Sequence, residues 1–370
     1  MPTEVLFGDG ALDALADVAV LRTARAVALL TGRRALRDQG TLARLGRLLP
    51  ARVRHLDGVP PRPQPQDVRA IVEKLGGEDC DAIVAAGGGS VIDVAKCVAF
   101  CLRRRERDAQ PVRDVPVVAV RDVAVVAVPT TAGSGSEVTP FATLWDRESR
   151  RKLSLEHPSL FPDAAVVDPG LTLALPPELT ASAGMDALTQ ACEAYWNLNH
   201  NATSDEHALL AIALLVDALP RAVRDGRDRD ARRAVMRGSL EAGLAFSNTQ
   251  TTACHGLSYA MTIHWGIPHG QAVGVTLPEV LPLNAAALAP VPGRRAAFCA
   301  AFGCATIDDV AERLRTVMRE CRLATRLGQL GIDEDGIPTI VGEGLRSIRM
   351  TNNPYRFTEP ALRELLLRIL

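Results

Sequence analysis

Residues 82–102 constrain this chain more than any other stretch. Residues 82–86 form an unbroken apolar run of strand length, Gly87-Gly88-Gly89-Ser90 follows, and residues 91–102 place apolar side chains at helical spacing. A buried strand passing through glycines straight into a helix is the building unit of a parallel α/β sheet. The pattern recurs nearby: residues 26–30 are an apolar run ending at Thr31-Gly32, 68–75 read as a helix after a proline-rich turn, and 123–128 are a second buried strand. Residues 141–144 and 152–155, separated by a charged turn, predict a hairpin. Residues 164–167 read as the last strand, and after about Pro177 long Ala- and Leu-rich helical patterns take over. Breaks are expected at Pro220, Gly226, Pro268, Pro282 and Pro292, and a solvated loop over 224–233. The expected architecture is a Rossmann-like α/β domain over 1–176 followed by an all-α domain over 177–370, each long enough for its own core.

The glycine run suits a phosphate cradle: glycines let backbone approach an oxyanion, and the N–H groups of a helix start attract it. A tight turn uses the same residues. Thr130-Thr131-Ala132-Gly133-Ser134-Gly135-Ser136 is a second small-residue loop after a strand, placed to close over the same ligand from the neighbouring strand end. A nucleotide site would then draw on Gly87, Gly88, Gly89, Ser90, Thr130, Thr131 and Ser134, with Asp93 and Lys96 on the helix after the glycines. Only three of the 42 basic residues are lysine: Lys74, Lys96 and Lys152. In a chain so rich in arginine, lysine marks places where a compact ammonium serves and a planar guanidinium does not.

The second half carries a different chemistry. His255 and His269 lie fourteen residues apart, each beside a glycine, and Asp186 and Gln190 lie four apart in a helical pattern, hence on one face. Two imidazoles, a carboxylate and an amide oxygen can hold one divalent first-row metal with a position left open. The same residues also fit two unrelated histidines and a carboxylate near a helix start. The eight cysteines include no CxxC pair and sit in apolar surroundings, which suits reduced buried thiols; Cys254, beside His255, is an alternative ligand. A net charge of −1 points away from nucleic acid and acidic membrane. No apolar run is long enough to span a bilayer and no signal peptide is evident, so a cytoplasmic protein is expected.

Taken in order, GGGSVIDVAK (87–96), PTTAGSGSEVT (129–139), Asp168-Pro169, GMDALTQACEA (184–194), AGLAFSN (242–248) and Pro268-His269-Gly270 resemble the iron-containing (group III) alcohol dehydrogenases. The resemblance runs from Phe7-Gly8 to Asn353-Pro354. It implies an N-terminal dinucleotide-binding domain, a helical C-terminal domain, a divalent metal (Fe²⁺, with Zn²⁺ the alternative) in a cleft between them, and a homodimer. It implies Asp186, His255 and His269 as ligands; Gln190 stands where the family carries a fourth, histidine ligand, and Tyr259 where a further histidine is common. The first-strand threonine, Thr31, is followed by Gly32, Arg33 and Arg34 in place of the aspartate of many NAD-preferring members, which implies that NADPH is admitted beside NADH.

The polar segments 196–201 and 258–270 are similar to the subgroup that reduces phosphonoacetaldehyde to 2-hydroxyethylphosphonate. That likeness makes Asn197, Asn199, Lys152 and His264 candidate substrate ligands, with Lys152 also near the cofactor and His264 a candidate proton donor. Asparagines in a post-helix turn and a core histidine are the other reading of these residues. A zinc-dependent glycerol dehydrogenase or dehydroquinate synthase relative, and a dinucleotide-binding protein without catalysis, are the rival functions.

Overall fold

The computed structural model describes residues 2–33, 35–38, 40–49, 52–75, 80–104, 123–146, 148 and 151–370. They form two compact units: Met1–Thr131 with Gly135–Ala174, and Leu175–Leu370 with Ala132–Ser134.

The first unit is built on six parallel strands, β1 (Glu4–Phe7), β2 (Ala26–Thr31), β3 (Arg52–Leu56), β4 (Ala82–Gly87), β5 (Ala124–Pro129) and β8 (Ala164–Val167), in the order β1-β8-β5-β4-β2-β3. Helices α1 (Ala19–Arg22), α2 (Ala35–Asp38), α3 (Thr41–Leu48), α4 (Pro65–Leu75) and α5 (Gly89–Arg104) connect them. β2 and β4 are buried along their whole length, so they read as continuous apolar runs. The two strands that periodicity does not reveal are the edges. β3 is Arg-Val-Arg-His-Leu, with arginine at alternate positions, and β1 is only four residues long. Charge and shortness are what protect an edge from further pairing, and they also erase the apolar signal.

From β2 the chain goes outward to β3 and then crosses back to β4 on the other side, so the sheet's switch point lies between β2 and β4. Ligands of open parallel sheets bind at the carboxyl ends of the strands flanking such a point. Here those ends are Thr31-Gly32 and Gly87-Gly88.

The hairpin is present as β6 (Phe141–Asp146) and β7 (Arg151–Glu156), antiparallel and apart from the main sheet. Asp93 and Lys96, expected at the cofactor, hold it instead. Lys96 is buried and its Nζ donates to the carbonyls of Thr139 (2.9 Å) and Phe141 (2.7 Å). Asp93 accepts from Ser136 Oγ (2.6 Å) and from the Thr143 backbone N–H (3.0 Å). Both side chains therefore face the segment leading into β6.

The second unit is helical: α6 (Pro177–Trp196), α7 (Ala202–Arg224), α8 (Arg229–Thr249), α9 (Ala253–His264), α10 (His269–Gly274), α11 (Leu277–Ala285), α12 (Arg294–Ala301), α13 (Ile307–Glu320), α14 (Ile337–Arg346) and α15 (Glu359–Arg368). Glycines set the spacing of the first three. A Cβ on Gly184 of α6 would fall 2.2 Å from Leu219 of α7, and one on Gly238 of α8 would fall 2.7 Å from Leu215. Two of the five breaks are absent, since Pro220 and Pro282 lie inside α7 and α11, where packing of the surrounding turns overrides the lost N–H. The expected loop over 224–233 shrinks to the four residues between α7 and α8. Asp228 caps α8 by accepting from Ala231 N at 2.9 Å, and Arg232 is buried, donating to Thr180 Oγ1 (2.7 Å), Gly226 O (3.0 Å) and Leu175 O (3.1 Å). No helix among the described residues is long and apolar enough to cross a membrane.

Two outcomes test the anchor under the hairpin. Lys96→Met leaves two carbonyls and two buried carboxylates without their cation, so it should cost about 3–5 kcal/mol of stability in denaturant melts. Burial lifts the Glu137 pKa to about 7, against Lys96, which favours its charged form. A folded-state pKa above the unfolded 4.5 means the folded protein holds the extra proton, so stability should fall as pH rises from about 4.5 to 7. Glu137→Gln should flatten that part of the Tm-against-pH curve.

Candidate functional site

In the second unit, α6 carries Asp186, Gln190 and Glu193 at successive turns of one face. His255 lies in the first turn of α9 and His269 opens α10. Helix packing brings one carboxylate oxygen of Asp186 to 3.3 Å from His255 Nε2 and 3.9 Å from His269 Nε2, and the three ligand atoms lie within 4.8 Å of one another. Two donors each about 2.1 Å from a shared tetrahedral ion stand roughly 3.4 Å apart, so the spacing fits a metal. Gln190 Oε1 adds a second observation: it is buried and accepts no hydrogen bond from any described residue. Such an acceptor is costly unless something positive meets it. The donor set of two nitrogens and two oxygens is that of a divalent first-row ion. The side chain of His255 is 5% exposed and that of His269 is 28% exposed, so the set opens on the His269 side.

Glu193 does not stand out in the sequence, yet it organises the site. Fully buried, its carboxylate accepts from the backbone N–H groups of Thr252 (3.0 Å), Cys254 (2.7 Å) and His255 (3.3 Å), and from His255 Nδ1 at 2.5 Å. The ring's other nitrogen, Nε2, is thereby turned toward Asp186. Burial works against charge on His255, but Glu193 and Asp186 outweigh it and raise the pKa to about 10. Burial pushes the Glu193 pKa up and His255 pulls it down, leaving it below the ordinary value. One signal in the sequence points here: Glu193 is seven residues, two turns, after Asp186.

His269 is set by two neighbours. Its ring lies against Tyr259 (centroids 6.1 Å apart, 18° between planes), and its Nδ1 is 3.5 Å from Ser258 Oγ. Gly270 lets α10 touch α6: a Cβ there would fall 1.7 Å from the Ser182 carbonyl oxygen.

Other candidates have different work. His264 donates through Nε2 to Glu343 on α14 at 2.7 Å. It lies nine residues after His255, about two and a half helical turns, on the opposite side of α9 from the ligands. Asn197 is buried, donating to Gln250 O (3.2 Å) and accepting from Asn199 N (2.9 Å), so it is the turn after α6. Asn199 Nδ2 donates to Asn352 Oδ1 at 3.4 Å. Each of these three residues therefore has a partner within the protein. Cys254 is not among the three grouped ligands; all eight cysteines are free thiols, six of them buried.

In the first unit the two small-residue loops clasp each other. Thr130 N donates to Gly87 O at 2.9 Å, and a Cβ on Gly88 would come within 3.2 Å of Thr131 Oγ1. Gly87 has no room for a Cβ either, since Val91 of α5 would lie 2.4 Å away. Gly89 and Ser90 form the first turn of α5, the N–H end that suits a phosphate. On the neighbouring strand Thr31 Oγ1 is hydrogen-bonded to His55 Nε2 (2.9 Å), Gly32 is half-buried and Arg33 is exposed. Arg34 lies outside the described residues. Ser134 belongs to the second unit with Ala132 and Gly133, and Lys152 sits on β7 opposite Trp145.

A parallel α/β unit with glycine loops at its switch point, and a helical unit with an Asp/His/His cluster, together define a class of two-unit metal-site proteins, and comparison with known families gives that class a name. The model of iron-containing alcohol dehydrogenases matches residues 2–169, and that of the family's C-terminal domain matches residues 180–370. The chain belongs to the iron-containing alcohol dehydrogenase family. It is 35% identical over 322 residues to the phosphonoacetaldehyde reductase of Streptomyces viridochromogenes, covering 82% of this chain and 79% of that protein. The probable alcohol dehydrogenase EutG of Salmonella typhimurium is 40% identical over 232 residues, a match taking in 61% of this chain and 57% of that protein. Among solved structures, the sulfoacetaldehyde reductase of Bifidobacterium kashiwanohense, in complex with NAD⁺, superposes with a TM-score of 0.91 at 31% identity, covering 100% of this chain and 97% of that one.

Gly270→Ala should separate α10 from α6, because the clash is with backbone, and destabilise the protein by about 3 kcal/mol. Metal content after purification should drop with it, since His269 moves with α10; an unchanged melt and metal content would show that the contact is slack.

Proposed function

We propose that this protein is a nicotinamide-dependent reductase of a small polar aldehyde, and that its substrate is phosphonoacetaldehyde, giving 2-hydroxyethylphosphonate. The observation that carries the reading is the Asp186, His255 and His269 cluster, with the orphaned Gln190 oxygen beside it, in a chain of this family. Asp186, His255 and His269 hold a divalent metal, Fe²⁺ in preference to Zn²⁺, and Gln190 supplies an amide oxygen as fourth donor. When bound, the ion offers a Lewis acid to the carbonyl oxygen and the reduced dinucleotide offers the hydride. Glu193 keeps the proton on His255 Nδ1, and an ion bound at Nε2 would displace the second proton that the raised pKa leaves there. Tyr259 and Ser258 fix the His269 ring at the open side, where the aldehyde enters. Gly87, Gly88, Gly89, Ser90, Thr130 and Thr131 cradle the pyrophosphate.

The substrate assignment draws on the relatives. One reduces phosphonoacetaldehyde and another sulfoacetaldehyde, both two-carbon aldehydes with an anionic head. Lys152, on β7, is kept as a candidate for that head on the likeness to that subgroup. NADPH is admitted beside NADH in this proposal, because Gly32 and Arg33 follow Thr31 and no carboxylate stands there to repel a 2′-phosphate. A cytoplasmic homodimer completes it, with sedimentation velocity as its check.

The test is steady-state oxidation of NADPH and NADH with phosphonoacetaldehyde, sulfoacetaldehyde, propanal and lactaldehyde, with and without added Fe²⁺ or Zn²⁺. The expected kcat/KM for phosphonoacetaldehyde exceeds that for propanal by about 100-fold, the value of one well-made charge-assisted contact. His269→Ala should abolish reduction while sparing dinucleotide binding. Equal use of propanal would remove the substrate assignment, and a tenfold preference for NADH would remove the cofactor assignment.

A further inference from the structure

Gln250 ends α8 with φ 67° and ψ −172°, a backbone region essentially confined to glycine because a Cβ there crowds the flanking peptide groups. The other two non-glycine residues with positive φ among those described, Arg62 and Arg322, are exposed. Gln250 is not: it lies three residues before α9 begins and five before His255.

The conformation is held from three directions. Oε1 accepts from Arg349 Nη1 and from Asn352 Nδ2 (3.2 Å). The backbone carbonyl accepts from Asn197 Nδ2 (3.2 Å), and the backbone N–H donates to Phe246 O (2.7 Å). Asn352 Nδ2 also reaches the carbonyl of Thr251, the next residue, at 3.1 Å. Arg349 and Asn197 are both buried, so these bonds are made out of competition with water.

Immediately downstream, the N–H groups of Thr252, Cys254 and His255 converge on Glu193. The direction in which the chain leaves Gln250 decides whether they do. A relaxation of Gln250 into an ordinary basin would rotate the following segment away from Glu193, and the His255 imidazole would go with it.

We propose that Gln250 is a positioning residue: its side chain locks a strained backbone turn that aims the start of α9, and hence His255, at Glu193 and Asp186. The inference rests on the reading of Asp186, His255 and His269 as metal ligands. Asn197, Asn352 and Arg349 belong to the same lock. The strain makes a specific and unusual forecast. Glycine, which adopts this backbone freely, serves better at position 250 than alanine, which keeps the strain and loses the lock.

The experiment uses the full-length protein stripped of metal, titrated with Co²⁺ by calorimetry and by the cobalt absorption spectrum, with melts of the metal-free protein alongside. Gln250→Ala should weaken cobalt binding by about tenfold or more and alter the spectrum, as loss of support behind a ligand does. Gln250→Gly should bind within about threefold of wild type, since only the side-chain lock is lost and the backbone is at rest. Melting temperatures should run in the same order, glycine above alanine. Wild-type affinity and spectrum in Gln250→Ala, or alanine performing as well as glycine, would overturn the proposal. Should Gln250→Ala not fold, Asn352→Ala removes the contacts at 3.2 and 3.1 Å and must weaken cobalt binding; unchanged affinity counts against the lock. The metal reading fails separately, by wild-type protein that takes up no cobalt, while the order of melting temperatures still decides whether the turn is locked.

Discussion

A carboxylate with no access to water governs the helical half of this protein. Glu193 would be expensive to bury alone, and four donors meet it: three backbone N–H groups from the start of α9 and one imidazole. Those N–H groups are the ones a helix leaves unpaired, and the end they occupy carries the positive pole of the helix. The acid thus caps α9 from a neighbouring helix, with no capping side chain supplied by α9 itself. The same contact fixes the direction of the His255 ring, so helix capping and imidazole orientation are one event.

The α/β unit depends on a different constraint, the close approach of backbones. Gly87 and Gly88 have neighbours where side chains would stand, and their loops are joined by the Thr130 to Gly87 hydrogen bond. Lys96 then fastens the segment that enters β6. Its ammonium reaches two carbonyls two residues apart, at Thr139 and Phe141, which a wider, planar guanidinium would meet less well. Lysine at this point is structural, although its rarity in the sequence suggests a contact with ligand.

The inner strands β2, β4, β5 and β8, the hairpin, and helices α4, α5 and α6 are legible in the sequence because burial writes itself as apolar runs and helical periods. The strands β1 and β3 are not, since edges are short or charged for reasons of solubility. The cluster of Asp186, His255 and His269 is legible from residue type and from likeness to a family whose motifs lie in order. For Asn197, Asn199 and His264, polarity in a sequence does not say whether the partner is a substrate or a distant turn. Their partners, Gln250, Asn352 and Glu343, lie between 53 and 153 residues away. Glu193 escapes notice for the same reason: the donors it meets are 59 to 62 residues off.

The contact of Gly270 with the Ser182 carbonyl has a consequence for how an ion would arrive. Ligands carried on loops must be gathered, so that uptake is coupled to folding, as it is in small zinc modules. Here Asp186 and His269 stand on two helices whose main chains already touch, and His255 is held by a buried acid. In the proposed function these donors would act as a preassembled chelator. Capture of the ion would then order little of the chain, and its removal would leave the scaffold standing.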